Sequence, residues 1–335
     1  MVKKKALITG ITGQDGSYLA EFLLKKGYEV SGIVRKTSHE SYANIGHIQD
    51  ELKLYQGDLL DPVSLREIIQ KVDPVEVYNL ASQSHPSESF KQPIHTAEIT
   101  GIGAHRVLDA TLDVNPKTKF YQASSSEMYG WVREIPQNEG TPFNPANPYA
   151  AAKLYAHAMT RIYRKSYDMF AVNGILFNHE SPRRHLGFVT QKVTYAAACA
   201  KLGIRDSKHL NEEGEPIVVK GKVALGNLEA KRDWGYAGDF VEAMWLMMQH
   251  GEPDDFVVAT GKTHSIEELC VEAFEQVGLN WNDYVYIDKR FVRPTETGPL
   301  VGDASKAKKL LGWEAKTSFK ELIKIMVEAH IARLK

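Results

Sequence analysis

The chain has 335 residues, with 41 Lys plus Arg against 42 Asp plus Glu and a formal net charge of -1. At about 150 residues per domain this is one large or two ordinary domains. The balanced charge argues against a nucleic-acid binder, which advertises itself by a basic excess. Hydrophobic residues at 43% and charged residues at 25% exclude bulk disorder. No stretch approaches about 18 uninterrupted apolar residues, so a membrane span is excluded as well. Cys199 and Cys270 are too few for a disulfide framework and fit a reducing compartment. The apolar run behind Met1 to Lys5 breaks at Thr9, Gly10 and Gly13, too soon for a secretory signal, so a cytoplasmic location is expected.

In chain order, Lys5 to Thr9 reads as a buried strand and Gln14 to Lys26 as a helix with Tyr18, Leu19, Phe22 and Leu23 on one face. Glu29 to Val34 is a second strand, and another precedes Gly57. Asp61 caps the next helix, with Pro62 in its first turn and a stripe of Val63, Leu65, Ile68, Ile69 and Val72. Strand-like runs follow at Val75 to Leu80, Lys119 to Ala123 and Phe170 to Phe177. Strands separated by helices of about 10–15 residues imply right-handed crossovers and a parallel, doubly wound α/β sheet of Rossmann type.

After Phe177 the rhythm breaks, and glycine, charge and short apolar pieces dominate as far as Arg232. Helical signal returns at Asp239 to Gln249, and Phe256 to Ala259 reads as a strand that rejoins the first sheet. Asp303 is expected to cap a helix ending at Gly312, and Ser318 with Glu321 fits a capping box for the last helix. The expected division is a nucleotide-binding domain of residues 1–177 and 233–262, with a smaller interleaved domain of residues 178–232 and 263–335.

Gly10-Ile-Thr12-Gly13-Gln14-Asp15-Gly16 lies between the first strand and the first helix. Glycines there permit a tight turn and a close approach to a pyrophosphate, while the helix N-terminus supplies N–H donors. At the end of the second strand an NAD site commonly carries an acidic residue for the ribose 2′-hydroxyl. Here Arg35 and Lys36 stand there, which suits a 2′-phosphate and favours NADP. Asp58 and Leu59, after the next strand, are expected near the adenine. Leu80, Ala81, Ser82, Gln83 and Ser84 are expected beneath the cofactor; a plain strand-end loop is the other reading of each.

Of 15 tyrosines only Tyr149 has a lysine, Lys153, four residues on, and that spacing puts both on one helical face. A nearby ammonium favours the phenolate and lowers a tyrosine pKa toward the range of a useful base. The strand at Phe120 runs into Ser125 and Glu127, at the sheet end that faces a cofactor crevice. A serine hydroxyl there can hold a substrate oxygen and Glu127 can add a second base; a Ser-rich turn and a solvated loop carboxylate are the other readings. His179-Glu180 lacks a second histidine four residues on and is followed by Pro182, so a helical zinc motif fails and no metal is expected. Trp234 and Trp313 read as core anchors.

Together these elements resemble the extended short-chain dehydrogenase/reductase family and, within it, the family of GDP-mannose 4,6-dehydratases. The resemblance covers nearly the whole chain. It runs through Gly10-Ile-Thr-Gly-Gln-Asp-Gly-Ser-Tyr18, Asn79-Leu-Ala-Ser-Gln-Ser-His85, Asn178-His-Glu-Ser-Pro-Arg-Arg184, Gly226-Asn-Leu-Glu-Ala-Lys-Arg-Asp-Trp-Gly235 and Arg293-Pro-Thr-Glu296. Ser125 stands where these dehydratases usually carry threonine, and the hydroxyl is kept. Pro86-Ser-Glu88 and the long connection Asn211 to Val223 depart from the family pattern and leave the hexose open, mannose or a related GDP-sugar such as a heptose.

The resemblance implies conversion of a GDP-hexose to its 4-keto-6-deoxy form, with NADP regenerated at each turnover. Tyr149 would take the C4 hydroxyl proton, Ser125 would hold that oxygen, and Lys153 would bind the nicotinamide ribose. Glu127 would remove the C5 proton as water leaves C6. His179 and Arg184 would contact NADP. Ser84, His85, Asn178, Lys192, Arg232, Arg293 and Glu296 would meet the GDP-sugar. It also implies a homo-oligomer, dimer or tetramer, pairing through Thr37 to Asn44. A 4-keto-sugar-nucleotide reductase or epimerase on the same scaffold, and a non-catalytic NADP-binding protein, are the alternatives.

Overall fold

The computed structural model describes residues 3–36, 42–211, 213–292 and 298–335. Arg293, Glu296 and most of the expected pairing segment, residues 37–41, lie outside the described residues. Strands β1 (Lys5–Thr9), β2 (Glu29–Val34), β3 (Leu52–Gln56), β4 (Glu76–Asn79), β5 (Lys119–Ser125) and β6 (Ala171–Leu176) form one sheet with the strand Asp255–Val258. The order across its seven strands is Asp255–Val258, β6, β5, β4, β1, β2, β3, and every neighbouring pair is parallel. The chain winds outward from β1 through β3, then returns to lay β4 on the other side of β1. The carboxyl ends of β1 and β4 therefore frame a topological switch point, where such sheets bind ligands.

Both faces are covered, which explains the near-continuous apolar runs in the strands. On one face α1 (Gln14–Lys25) and the helix Ala237–Gln249 bury Leu19, Leu23, Phe240, Met244 and Met247 against Ala6, Ile8 and Val30. On the other, α2 (Pro62–Val72) packs Leu65, Ile69 and Val72 with Val107 and Phe120. Asp61 caps α2 by accepting from the Val63 and Ser64 amides. Val63 departs from the expected stripe and is 64% exposed. It precedes Leu65 by two positions, about 200° around the helix, and so faces away from the sheet.

A second core gathers Tyr195, Cys199, Val223, Trp234, Phe274 and Met326. It is built from the helices Val189–Lys201, Ile266–Glu275 and Phe319–Leu334, whose Ser318 cap accepts from the Glu321 amide at 3.2 Å. Two details depart from the expected division. Trp234 packs in the second core, while Ala307 and Trp313 return to the sheet. Trp313 is fixed there by donating its indole N–H to the Asp239 carbonyl at 2.9 Å. Asp303 does not cap the helix Ser305–Leu311: the N-cap is Ala304, and Asp303 accepts from the Ser305 amide.

Candidate active site

The glycine turn is built by close approach. Gly10 has φ +72°, and a Cβ there would lie 2.9 Å from the Ala81 amide nitrogen; one on Gly16 would lie 2.3 Å from the Gly10 carbonyl oxygen. Glycine is needed at Gly10 for its left-handed φ and its close approach, and at Gly16 for close approach alone. Thr9 Oγ1 donates to Asn79 Oδ1 at 2.7 Å and accepts from the Leu80 and Ala81 amides, each at 3.1 Å. This pins the expected Leu80–Ser84 segment beside the turn, and Thr100 Oγ1 holds its further end through Ser82 and Gln83. Helix α1 opens at Gly13 without a side-chain cap. Its first N–H groups and positive dipole end suit a phosphate, so the cradle fits a dinucleotide.

Asp15 and Gln14, in the first turn of α1, reach across to the segment after β6. His179 Nε2 donates to Asp15 Oδ2 at 2.8 Å and Nδ1 donates to the Phe177 carbonyl at 2.7 Å, while the ring stacks on Phe240. Two acceptors on one imidazole require both ring N–H groups, the protonated form. Burial alone would raise the Asp15 carboxyl, but the charge and hydrogen bond of His179 outweigh it and hold the pKa at about 2. Burial pulls His179 down, and Asp15 outweighs it and raises the imidazole above its ordinary value.

Asp15 thus stabilises the fold above its unfolded pKa near 4, a contribution lost as the pH falls through about 2. The His179 contribution is full below about 6.5 and is lost as the pH rises through its raised value. The pair therefore contributes most between about pH 4 and 6.5. Asp15→Asn is expected to cost about 2 kcal/mol of unfolding free energy near pH 6 and almost nothing near pH 2. Urea unfolding at the two pH values checks this; an equal loss at both would refute it.

Ser125, Glu127, Tyr149 and Lys153 come together at the end of β5. Ser125 Oγ accepts from the Glu127 amide at 3.2 Å and opens the short 3₁₀ turn Ser126–Tyr129 that carries Glu127. The helix Pro148–Ser166 brings Tyr149 beside Ser125 in the cleft wall, and Lys153 Nζ donates to the Ala123 carbonyl at 2.7 Å. One turn further, His157 meets Ser124 Oγ at 3.0 Å, beside Asn173 and Asp255. Successive turns of one helix are therefore docked on Ser125, Ala123 and Ser124 of one strand.

The electrostatics correct one expectation. Burial pushes the Tyr149 phenol up to about 12; the neighbouring Ser125 hydroxyl opposes this, and the charge of Glu127 adds to it. Lys153, spent on a backbone carbonyl and 5.7 Å from the Tyr149 ring centre, does not bring the phenol down. Burial lowers the Lys153 ammonium to about 8, against the charge of Asp15.

These groups open into a cleft of about 760 Å³ whose walls include Asp15, Leu80, Ser82, Ser84 and His85 with the four residues above. Asn178, His179, Arg184, Lys192 and Arg232 line it as well. Lys192 is 6% exposed, with its ammonium 4.8 Å from the centre of the Phe291 ring, and the Arg184 guanidinium lies 3.7 Å from that of Phe188. The 86–88 segment, expected as a loop near the sugar, is the start of a short helix, Pro86–Lys91, on the same wall. Arg35 and Lys36 stand exposed after β2, and Asp58 and Leu59 follow β3, outside the cleft wall. Among the described residues no cluster of His, Cys, Asp and Glu is placed to hold a metal, and no helix is long and apolar enough to cross a membrane. Asn147 went unread in the sequence: its Nδ2 donates to Glu127 Oε2 at 2.9 Å, and its Oδ1 caps the Tyr149 helix. The Asn-Pro pair ahead of an apolar helix was the available signal.

A parallel sheet with a glycine turn at its switch point, and a Ser–Tyr–Lys set beneath the crevice, defines an α/β enzyme of the extended short-chain dehydrogenase/reductase class. The family described as GDP-mannose 4,6 dehydratase matches residues 7–326. GDP-mannose 4,6 dehydratase 1 of Arabidopsis thaliana is 49% identical over 98% of this chain and 90% of its own. The Homo sapiens GDP-mannose 4,6 dehydratase is 48% identical over 97% of this chain and 91% of its own. UDP-glucose 4-epimerase of Thermotoga maritima, solved with UDP-glucose, superposes with a TM-score of 0.85 at 24% identity, covering 99% of this chain and all of that one. That last likeness carries the fold alone. The chain belongs to the GDP-mannose 4,6-dehydratase family, a family of hydro-lyases.

Proposed function

We propose that this enzyme dehydrates GDP-mannose, or a closely related GDP-sugar, to the GDP-4-keto-6-deoxy sugar with NADP as a resident cofactor. The observation that carries the reading is the second base: Glu127 stands beside the Ser125–Tyr149–Lys153 set in one cleft, in a chain of this family. A plain reductase has no use for it. Tyr149 takes the C4 hydroxyl proton while Ser125 holds that oxygen. The new ketone acidifies C5; Glu127 removes the C5 proton and passes it to the C6 hydroxyl, which leaves as water, and then protonates C5 with a proton taken from solvent. A bound nicotinamide would supply the hydride chemistry, as acceptor from C4 and donor to C6. Asp15, His179, Arg184 and the turn from Gly10 to Gly16 hold the dinucleotide, and Lys153 its ribose. Arg35 and Lys36, exposed where a carboxylate would select NAD, support NADP. Asn178, Lys192 and Arg232 meet the GDP-sugar, whose two phosphates call for cationic donors.

The proposed division is 1–177 and 233–262 around the cofactor and 178–232 and 263–335 around the sugar-nucleotide, with Trp234 and residues 304–315 as exceptions that pack in the opposite cores. Family likeness supports a cytoplasmic homo-oligomer, dimer or tetramer, which light scattering on the purified protein reads directly. Incubation with GDP-mannose in deuterated water is expected to give a 4-keto-6-deoxy product with solvent deuterium at C5 and no net use of added cofactor. Mass spectrometry of the dinucleotide released on denaturation is expected to show NADP. Ketone reduction that only consumes NADPH would overturn the dehydratase reading in favour of a reductase, and released NAD would overturn the cofactor.

A further inference from the structure

The cleft contains a side chain with two jobs. Asn147 precedes Pro148, which fixes the first helical position, and its Oδ1 accepts from the Ala150 amide at 2.8 Å. That bond starts the helix bearing Tyr149 and Lys153. The other end of the same amide, Nδ2, donates to Glu127 Oε2 at 2.9 Å across 20 residues of chain. A planar amide with its oxygen committed to a helix cap has its nitrogen aimed in one direction, so cap and carboxylate are fixed together.

The intervening chain is built to hold this arrangement. The Asn144 amide donates to the Met128 carbonyl at 2.9 Å, the Trp131 amide returns a bond to the Asn144 carbonyl at 3.0 Å, and Asn144 Nδ2 donates to the Trp131 carbonyl at 2.9 Å. At the crossing, Gly130 has φ +52°, and a Cβ there would lie 1.9 Å from the Asn144 oxygen. Close backbone contact at that point brings the segment after Glu127 against the segment before Asn147.

We propose that Asn147 is a positioning residue of the elimination step, its amide holding the Glu127 carboxylate in register with Tyr149. The proposal rests on the dehydratase reading above. In that reading Tyr149 acts at C4 and Glu127 at C5 of one sugar, so the two bases must keep the spacing of neighbouring ring carbons. Asn147 touches the first through the helix it caps and the second directly.

Asn147→Ser and Asn147→Asp both keep an oxygen for the cap, whereas serine removes the donor to Glu127 and aspartate puts a like charge against it. The melting temperature of each is expected to stay within about 2 °C of wild type. For Asn147→Ser, kcat for keto-sugar formation is expected to fall about tenfold or more, with KM for GDP-mannose within about twofold. For Asn147→Asp a larger loss is expected, with the acidic limb of the pH–rate profile moved upward. Solvent deuterium incorporation at C5 is expected to slow in step with kcat in both. Unchanged kcat and pH profile in both variants beside an active wild type would leave Asn147 as a helix cap only and overturn the proposal alone. A wild type that forms no keto sugar would overturn the dehydratase reading and the proposal with it.

Discussion

Tyr149→Phe is expected to lower kcat for keto-sugar formation by about a thousandfold, equivalent to about 4 kcal/mol of barrier. KM for GDP-mannose should move by less than about threefold, because the ring and its packing survive. Tyr149 is 8% exposed in the wall of the cleft beside Ser125, and its phenol is pushed up to about 12 by burial. Burial keeps the hydroxyl a neutral phenol in the resting enzyme, so in the proposed reaction it gives up its own proton to solvent before it takes the one on the C4 hydroxyl. In the proposed reaction Ser125 is the residue that holds the C4 oxygen. Removing the Tyr149 hydroxyl therefore removes the base while leaving Ser125 in place. Steady-state kinetics, with the melting temperature of the variant as control, decides the matter. A loss smaller than about tenfold would move the base elsewhere, and Glu127 would be the next group to test.

Much of this arrangement can be read from local pattern. β1, the turn and α1 appear where the glycine spacing and the apolar face put them, and Asp61 caps α2 as its position before Pro62 suggests. Such features depend on neighbours within a few residues, and their signals are written there. The Tyr149–Lys153 pair is legible for the same reason, since four residues is one turn of helix. What it does electrostatically is not legible: the pKa of Tyr149 depends on burial, and the ammonium of Lys153 on a carbonyl of β5.

Contacts across long separations were illegible altogether. Asp15 and His179 are 164 residues apart, yet they form one ion pair; each alone reads as a cofactor neighbour with no hint of the other. Trp313 reads as a core anchor, but nothing nearby says that its core is the sheet's. Asn147 meets Glu127 only because a clamped loop returns the chain, through close backbone contacts at Gly130 that no propensity reports.

Glu127→Gln is expected to separate the two halves of the reaction more sharply than any other substitution. The side chain is 8% exposed and lies in the cleft beside Ser125 and Tyr149. Glutamine keeps its shape, and its carbonyl oxygen can still accept from Asn147 Nδ2, so the Asn147 cap and the helix it starts should stand. What is lost is the capacity to take a proton from C5. Oxidation at C4 uses Tyr149 and Ser125 and should survive, whereas water elimination should fall by about a thousandfold. In deuterated water the recovered sugar-nucleotide should then carry almost no label at C5, and overall turnover should fall with it. Two outcomes count against the assignment. Normal turnover in the variant would remove Glu127 from the mechanism. Loss of turnover with C5 labelling intact would show that Glu127 serves the departure of water from C6 and that another group takes the proton. Because Tyr149→Phe stops the reaction before C5 becomes acidic, it should also abolish labelling. The order of the two bases in the reaction can therefore be read from the pair of variants.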